Sequence, residues 1–197
     1  MINRIVILST VFIAFALAIN WVMDESEVTQ PDRKRNDPDL YMLNASFNQF
    51  DEQGNLQHTL NAARFTHFPL TDLTTMQQPS LQLASQLQTR PWQITADEGR
   101  ILPESKYREE IVELWNNVLA TKSRDDGKFI HIQTNSLTVY PERAYAETDE
   151  KVYIDNESGR TTAAGMKAFL DTGRFIFYST NKDRVTTIFL PNSGSSD

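Results

Sequence analysis

The 197-residue chain has no cysteine, which excludes disulfides, thiolate catalysis, Cys-based zinc sites and a lipidated lipoprotein cysteine, and leaves its redox compartment open. Glycine is scarce as well, seven residues in all, with neither a G-x-S-x-G elbow nor a phosphate-cradling loop. The only histidines, His58, His67 and His131, follow neither H-E-x-x-H nor another metal-ligand spacing, so each is assigned to a strand surface. Positive charge is in deficit: 19 Lys and Arg against 26 Asp and Glu leave a formal −7, a field that repels phosphate backbones and excludes nucleic acid as a partner. Asp97-Glu98 and Asp125-Asp126 are adjacent carboxylates, but each pair runs into a glycine. Strand neighbours point to opposite faces, so both pairs read as turn chemistry rather than as a general acid and base. No set of groups for catalysis, a metal or a cofactor emerges, and an enzyme is not expected.

What is present is uneven. Ile5 to Met23, IVILSTVFIAFALAINWVM, carries no charge; as a helix it would span roughly 28 Å, close to the hydrocarbon thickness of a bilayer. Ala16-Leu17-Ala18 offers a small-x-small cleavage site, yet the apolar run continues to Met23, which favours an uncleaved anchor over residues 1–23. Trp21 suits the headgroup region, and Asp24, Glu25 and Glu27 come after it. Arg4 marks the short side as cytoplasmic, while Arg33, Lys34 and Arg35 lie just beyond the run, so the charge count alone leaves the orientation open. Large domains after a span translocate despite such charges, which places the bulk of the chain outside the cytoplasm, in the periplasm of a two-membrane envelope. Residues 24–36, DESEVTQPDRKRN, hold too little apolar surface for a core and read as a linker.

From 37 to 190 the pattern changes to period-two alternation. Tyr41, Leu43, Ala45 and Phe47 share one parity, DEQGN turns the chain at 51–55, and Leu56, Leu60 and Ala62 begin a second strand. Similar sets recur around Leu81, Trp92, Val112, Ile130, Val152 and Phe175, ending at Val185–Leu190. At least ten short strands are expected, with one helical turn possible in 104–115 and a frayed tail at 191–197. A weak repeat underlies them. Leu60-Asn-Ala62, Ile94-Thr-Ala96, Ile132-Gln-Thr134 and Thr162-Ala-Ala164 start 34, 38 and 30 residues apart, and Asn117-Val118, Lys151-Val152 and Arg184-Val185 are spaced by 34 and 33. Pairs of strands stacked antiparallel make an all-β structure with a continuous internal face and open edges. Large apolar side chains such as Phe47, Phe65, Phe129, Phe175 and Phe177 would either fill that interior or line a hydrophobic trough for acyl chains.

In their order these features resemble the LptC family of lipopolysaccharide export proteins. The resemblance rests on the single span, the charged linker, Asp37-Pro38 before YMLNASFNQFDEQGNLQHTLNAARF, the Gln78-Pro79-Ser-Leu81-Gln-Leu83 and Trp92-Gln-Ile94-Thr-Ala96-Asp97 segments, and the closing Arg184-Val185-Thr-Thr-Ile188-Phe189. It covers essentially residues 1–190. It implies a single-pass inner-membrane protein with its N-terminus cytoplasmic and an elongated, open antiparallel β-jellyroll of two packed sheets in the periplasm, like LptA and the corresponding domain of LptD. It implies no enzymatic activity and no cofactor. Implied partners are lipopolysaccharide, the ABC transporter LptB/LptF/LptG and LptA, joined edge to edge at the C-terminal end. Matched strand by strand, Ala45, Phe47, Met76, Phe177 and Phe189 become candidate acyl-chain contacts, and Val185, Thr187, Ile188, Phe189 and Leu190 the candidate partner edge. A scaffold binding only proteins through its strand edges is the alternative.

Overall fold

The computed structural model describes residues 36–84, 90–124 and 126–190. The apolar run Ile5–Met23, the charged segment up to Arg35 and the tail 191–197 lie outside the described residues. Among the described residues no helix is long and apolar enough to cross a membrane. The chain divides after Asn36 into two compact units, and the second, Asp37–Asp197, holds all the strands named below.

Fourteen strands form this unit: β1 (Leu40–Phe50), β2 (Leu56–Phe68), β3 (Leu73–Gln77), β4 (Ser80–Leu83), β5 (Trp92–Thr95), β6 (Glu98–Leu102), β7 (Ile111–Ser123), β8 (Phe129–Tyr140), β9 (Tyr145–Thr148), β10 (Val152–Asn156), β11 (Gly159–Ala163), β12 (Gly165–Phe169), β13 (Arg174–Tyr178) and β14 (Thr186–Phe189). All their pairings are antiparallel. The first hairpin is closed by Asp51, whose carboxylate accepts the backbone N–H groups of Gln53 and Asn55. The side-chain amide of Asn55, with those backbone donors, holds that carboxyl below the usual carboxylate range.

The long strands fork. Along one edge of β2, Arg64–Phe68 pair with β3 while His58–Asn61 pair with β4. On β7, Ile111–Trp115 take β6 and Leu119–Thr121 take β5. On β8, Ile130–Gln133 take β10 and Thr138–Tyr140 take β9. Two leaves result, one carrying β3, β6, β9, β12 and β13, the other β4, β5, β10, β11 and β14, and their inner faces form the core of a jellyroll. The corners are hydrogen-bonded to one another: the N–H of Gln78 donates to Asp97 O, and that of Asp97 to Asn116 O.

Crossing the corner of β2 or β8 changes which parity faces inward: Leu60 and Ala62 are buried, then Phe65, and Thr134, then Leu137. On β7 the two corner residues Asn116 and Asn117 keep Leu114 and Val118 on one parity. Left-handed residues mark the corner in β1, between β3 and β4, and in β7: Asn44 (φ 48°), Gln78 (φ 51°), Asn116 (φ 62°) and Asn117 (φ 54°), and asparagine tolerates that region better than most residues. Hence the parity expected for the first strand is corrected: Tyr41 and Leu43 are exposed, whereas Met42 and, past Asn44, Ala45 are half-buried.

The sequence repeat becomes a rung. Leu60 pairs with Leu81, Leu81 with Ile94, Ile94 with Ala120, Ala120 with Ile132 and Ile132 with Ile154. Three of the four repeat starts therefore lie on one rung. The fourth is one residue out, because Thr161 rather than Thr162 faces Ile154. Gly99 continues the rung of the other leaf between Met76 and Leu114; a Cβ there would approach Glu113 O and a Leu114 methyl to 2.8 Å.

Two further expectations change. Residues 104–115 contain no helix among the described residues: Ser105 and Arg108 bridge in a tight turn, and β7 starts at Ile111 because Val112 and Leu114 alternate into the core. His58 is not on a surface but 5% exposed, its Nε2 lying 3.3 Å from a Glu110 carboxylate oxygen. His67 shares a hydrogen bond with the Thr74 hydroxyl, and His131 packs on Phe129.

Candidate lipid site between the leaves

From β2 to β8 the interior is packed with apolar side chains. Phe65 is fully buried and meets Phe47 edge to face at 4.7 Å between ring centroids. Burial continues on the C-terminal strands at Val152, Ala163, Met166 and Ala168, and beside Trp92 and β13 a cavity of about 550 Å³ lies between the leaves. Trp92, Ile130, Ile154, Leu170, Phe175 and Phe177 supply its apolar wall. Phe175 and Phe177 stand on alternate positions of edge strand β13, their rings stacked at 6.3 Å, and Trp92 meets Phe175 edge on at 6.4 Å. Because Trp92 belongs to one leaf and Phe175 to the other, this contact spans the gap.

The Trp92 indole N–H also donates to Leu170 O at 3.1 Å. This bond clasps the leaves together beside the cavity. Trp92→Phe would leave the carbonyl without that donor, and the expected loss is about 1–2 kcal/mol of unfolding free energy, read from the midpoint of urea denaturation.

At the cavity mouth stand Lys122, Arg124 and Lys128 from the β7–β8 hairpin, with Glu157 and Asp171 on the facing side. The Lys122 ammonium lies 5.7 Å from the centre of the Trp92 ring. Its burial, and next the Arg124 charge, lower its pKa from the ordinary lysine value. A second cavity of about 560 Å³ lies at the corner of β7, β8 and β10, but Asn117, Gln133, Asn135, Glu150 and Lys151 make its lining polar. Asp97 and Glu98 serve the corner: Asp97 accepts from the Asn117 amide at 2.6 Å and Glu98 from the Trp115 indole at 2.7 Å. Among the described residues no group of three His, Asp or Glu side chains is placed to hold a metal ion.

Of the candidate acyl contacts, Phe177 lines the cavity. Met76 lies in the packed core at 2% exposure, and Ala45 and Phe47 are at the opposite end, on β1. Phe189 is 77% exposed on β14, sharing a face with Thr187, whose hydroxyl contacts that of the cavity residue Thr161 at 3.1 Å. The candidate edge residues Val185, Thr187, Ile188, Phe189 and Leu190 are all exposed, β14 covering Thr186–Phe189. Among the described residues it pairs only with β11, β13 only with β12 and β1 only with β2, so these three strands are edges there. The cavity residues not singled out from sequence include Lys122, Arg124, Lys128 and Leu170. Three like charges flanking one hairpin are the available signal for the basic group.

The model of the family described as "Lipopolysaccharide-assembly, LptC-related" matches residues 6–184. No curated protein matches the chain in sequence. Among solved structures it is similar to the crystal structure of LptH, the LptA homologous periplasmic component of the conserved lipopolysaccharide transport device from Pseudomonas aeruginosa, with a TM-score of 0.51 at 6% identity over 77% of this chain and 94% of that one. At that identity the likeness is one of fold, and it makes the forked leaves an LptA-like jellyroll. With most of its length matched by the family model, this chain belongs to the LptC-related family of lipopolysaccharide-assembly proteins.

Proposed function

We propose that the protein carries lipopolysaccharide across part of the periplasm, holding acyl chains between its leaves. The observation that carries this reading is the apolar cavity bounded by Trp92, Phe175 and Phe177 and reaching edge strand β13. Burying apolar surface contributes about 25 cal/mol per Å², so shielding an acyl chain needs apolar contacts and no reactive group. In this reading Ile5–Met23 anchors the chain in the inner membrane with its N-terminus cytoplasmic. Lipid arrives from the ABC transporter LptB/LptF/LptG and leaves to LptA across the edges at β13 and β14, whose unpaired backbone can accept a partner strand. A cavity of about 550 Å³ is the size of a single small-ligand site. Several acyl chains enter only if the leaves separate, and Ala45, Phe47 and Met76 touch lipid only in such an opened state.

A photoreactive amino acid at Phe177 is expected to capture lipopolysaccharide in cells. The packed interior from β2 to β8 favours a second reading, a scaffold that binds proteins through its strand edges. Absence of lipid capture by a folded protein would count decisively against the carrier reading, and the scaffold reading expects Phe177→Glu to lower stability without any separate loss of lipid binding.

A further inference from the structure

Lys122 is partly buried at the mouth of an apolar cavity, and among the described residues no carboxylate pairs with it. Its neighbours there, Arg124 and Lys128, both lean on Asp126, at 3.8 and 3.2 Å. Those are exposed ion pairs, which hold their partners weakly. In a chain of net charge −7, this hairpin carries Lys122, Arg124 and Lys128 against Asp125 and Asp126, a small positive excess beside apolar surface. On the far side Glu157 and Asp171 line the same mouth, and Asp171 accepts the N–H of Thr172, so an anion entering the cavity is steered to the hairpin.

We propose that Lys122, with Arg124 and Lys128 beside it, binds the phosphate headgroup of an acylated lipid whose chain lies against Trp92, Phe175 and Phe177. This rests on the carrier reading above and adds what orients the cargo. A phosphate presents several acceptor oxygens and can take charge-assisted hydrogen bonds from all three side chains. The chain of the same molecule then enters the cavity with its head held at the hairpin. Lys122 is the anchor, because Arg124 and Lys128 can turn from Asp126 to the phosphate while Lys122, among the described residues, has no carboxylate to leave.

The test uses the full-length protein in phosphatidylcholine nanodiscs and two fluorescent probes with the same acyl chain, one headed by a phosphate monoester and the other by uncharged glycerol. The wild type is expected to bind the phosphate probe about tenfold more tightly. Lys122→Met is expected to erase that ratio with the neutral probe unaffected, and Lys122→Arg to keep it. A ratio that survives Lys122→Met, or a loss of both affinities together, would overturn the proposal. Inorganic phosphate displacing the phosphate probe at comparable concentration would assign the site to free phosphate and overturn the headgroup role. Binding of neither probe by the wild type would sink the carrier reading itself and the headgroup site with it.

Discussion

Phe65→Ala is expected to lower the unfolding free energy by about 3–5 kcal/mol, the usual range for removing a buried ring whose cavity cannot fully collapse. Phe65 is 0% exposed and pairs across the sheet with Met42 on one side and Met76 on the other. The neighbours are held by their own strands and cannot close over the gap. Phe47 would also lose its edge-to-face partner. For a domain of this size the melting temperature should fall by roughly 6 to 20 °C, measurable by circular dichroism on heating. An unchanged melting temperature would mean that β1 and β2 do not pack over a fixed core. The same variant enlarges the interior near Phe47, so it also tests whether a packed N-terminal half limits lipid entry.

Gly159→Val should detach the last strand while leaving most of the domain folded. Gly159 opens β11 with φ 150°, and a Cβ there would fall 2.0 Å from Ile188 O, a collision with backbone that no rotamer change relieves. Little else holds β14. It has four residue pairs with β11, the Thr161–Thr187 hydroxyl contact and the Leu190 N–H to Ser158 O at 3.0 Å, and all four of its residues are exposed. Amide exchange at Thr186–Phe189 should accelerate at least about tenfold, as expected for local release rather than global unfolding. Uniform acceleration across Leu114 and Val139 as well would show that β14 is integral to the core. If the edge serves as a partner junction, strand-to-strand crosslinks from Ile188 are lost in the same variant.

The strands themselves are legible, because alternating apolar residues leave a period-two signal wherever one face is buried. Leu60, Ile94 and Ile132 even reveal their common rung by their spacing. Legibility ends at the corners. At Asn44 the backbone enters the left-handed region, and beyond such a point the inward parity is a property of the corner, not of the alternation. This is why alternation alone groups Tyr41 and Leu43 with Ala45 and Phe47. His58 reads as a surface residue because a histidine on a strand carries no mark of what lies opposite, here Glu110. The 104–115 segment looks amphipathic in helical spacing, yet Glu113 faces outward to pair with Arg100 while Val112 and Leu114 turn in.

The candidate site divides in the same way. That Phe175 and Phe177 share one face is legible, because residues at alternate positions of a strand point the same way; Phe177 as an acyl contact comes from the family resemblance. Lys122 carries no such mark, since what sets it apart is Trp92, some 30 residues earlier in the chain, lying beneath it.

By itself, the sequence determined the absence of cysteine chemistry, the acidic charge, the break between a long apolar run and an alternating domain, and the all-β character of that domain. Each of these depends on composition or on near neighbours along the chain. Only the tertiary structure decided that the long strands fork into two leaves, that the interior is packed from β2 to β12, and that a cavity lies between Trp92 and Phe177. Those outcomes depend on left-handed corners and on contacts across the sheets, and alternation reads the same whether the buried face meets another side chain or an open cavity.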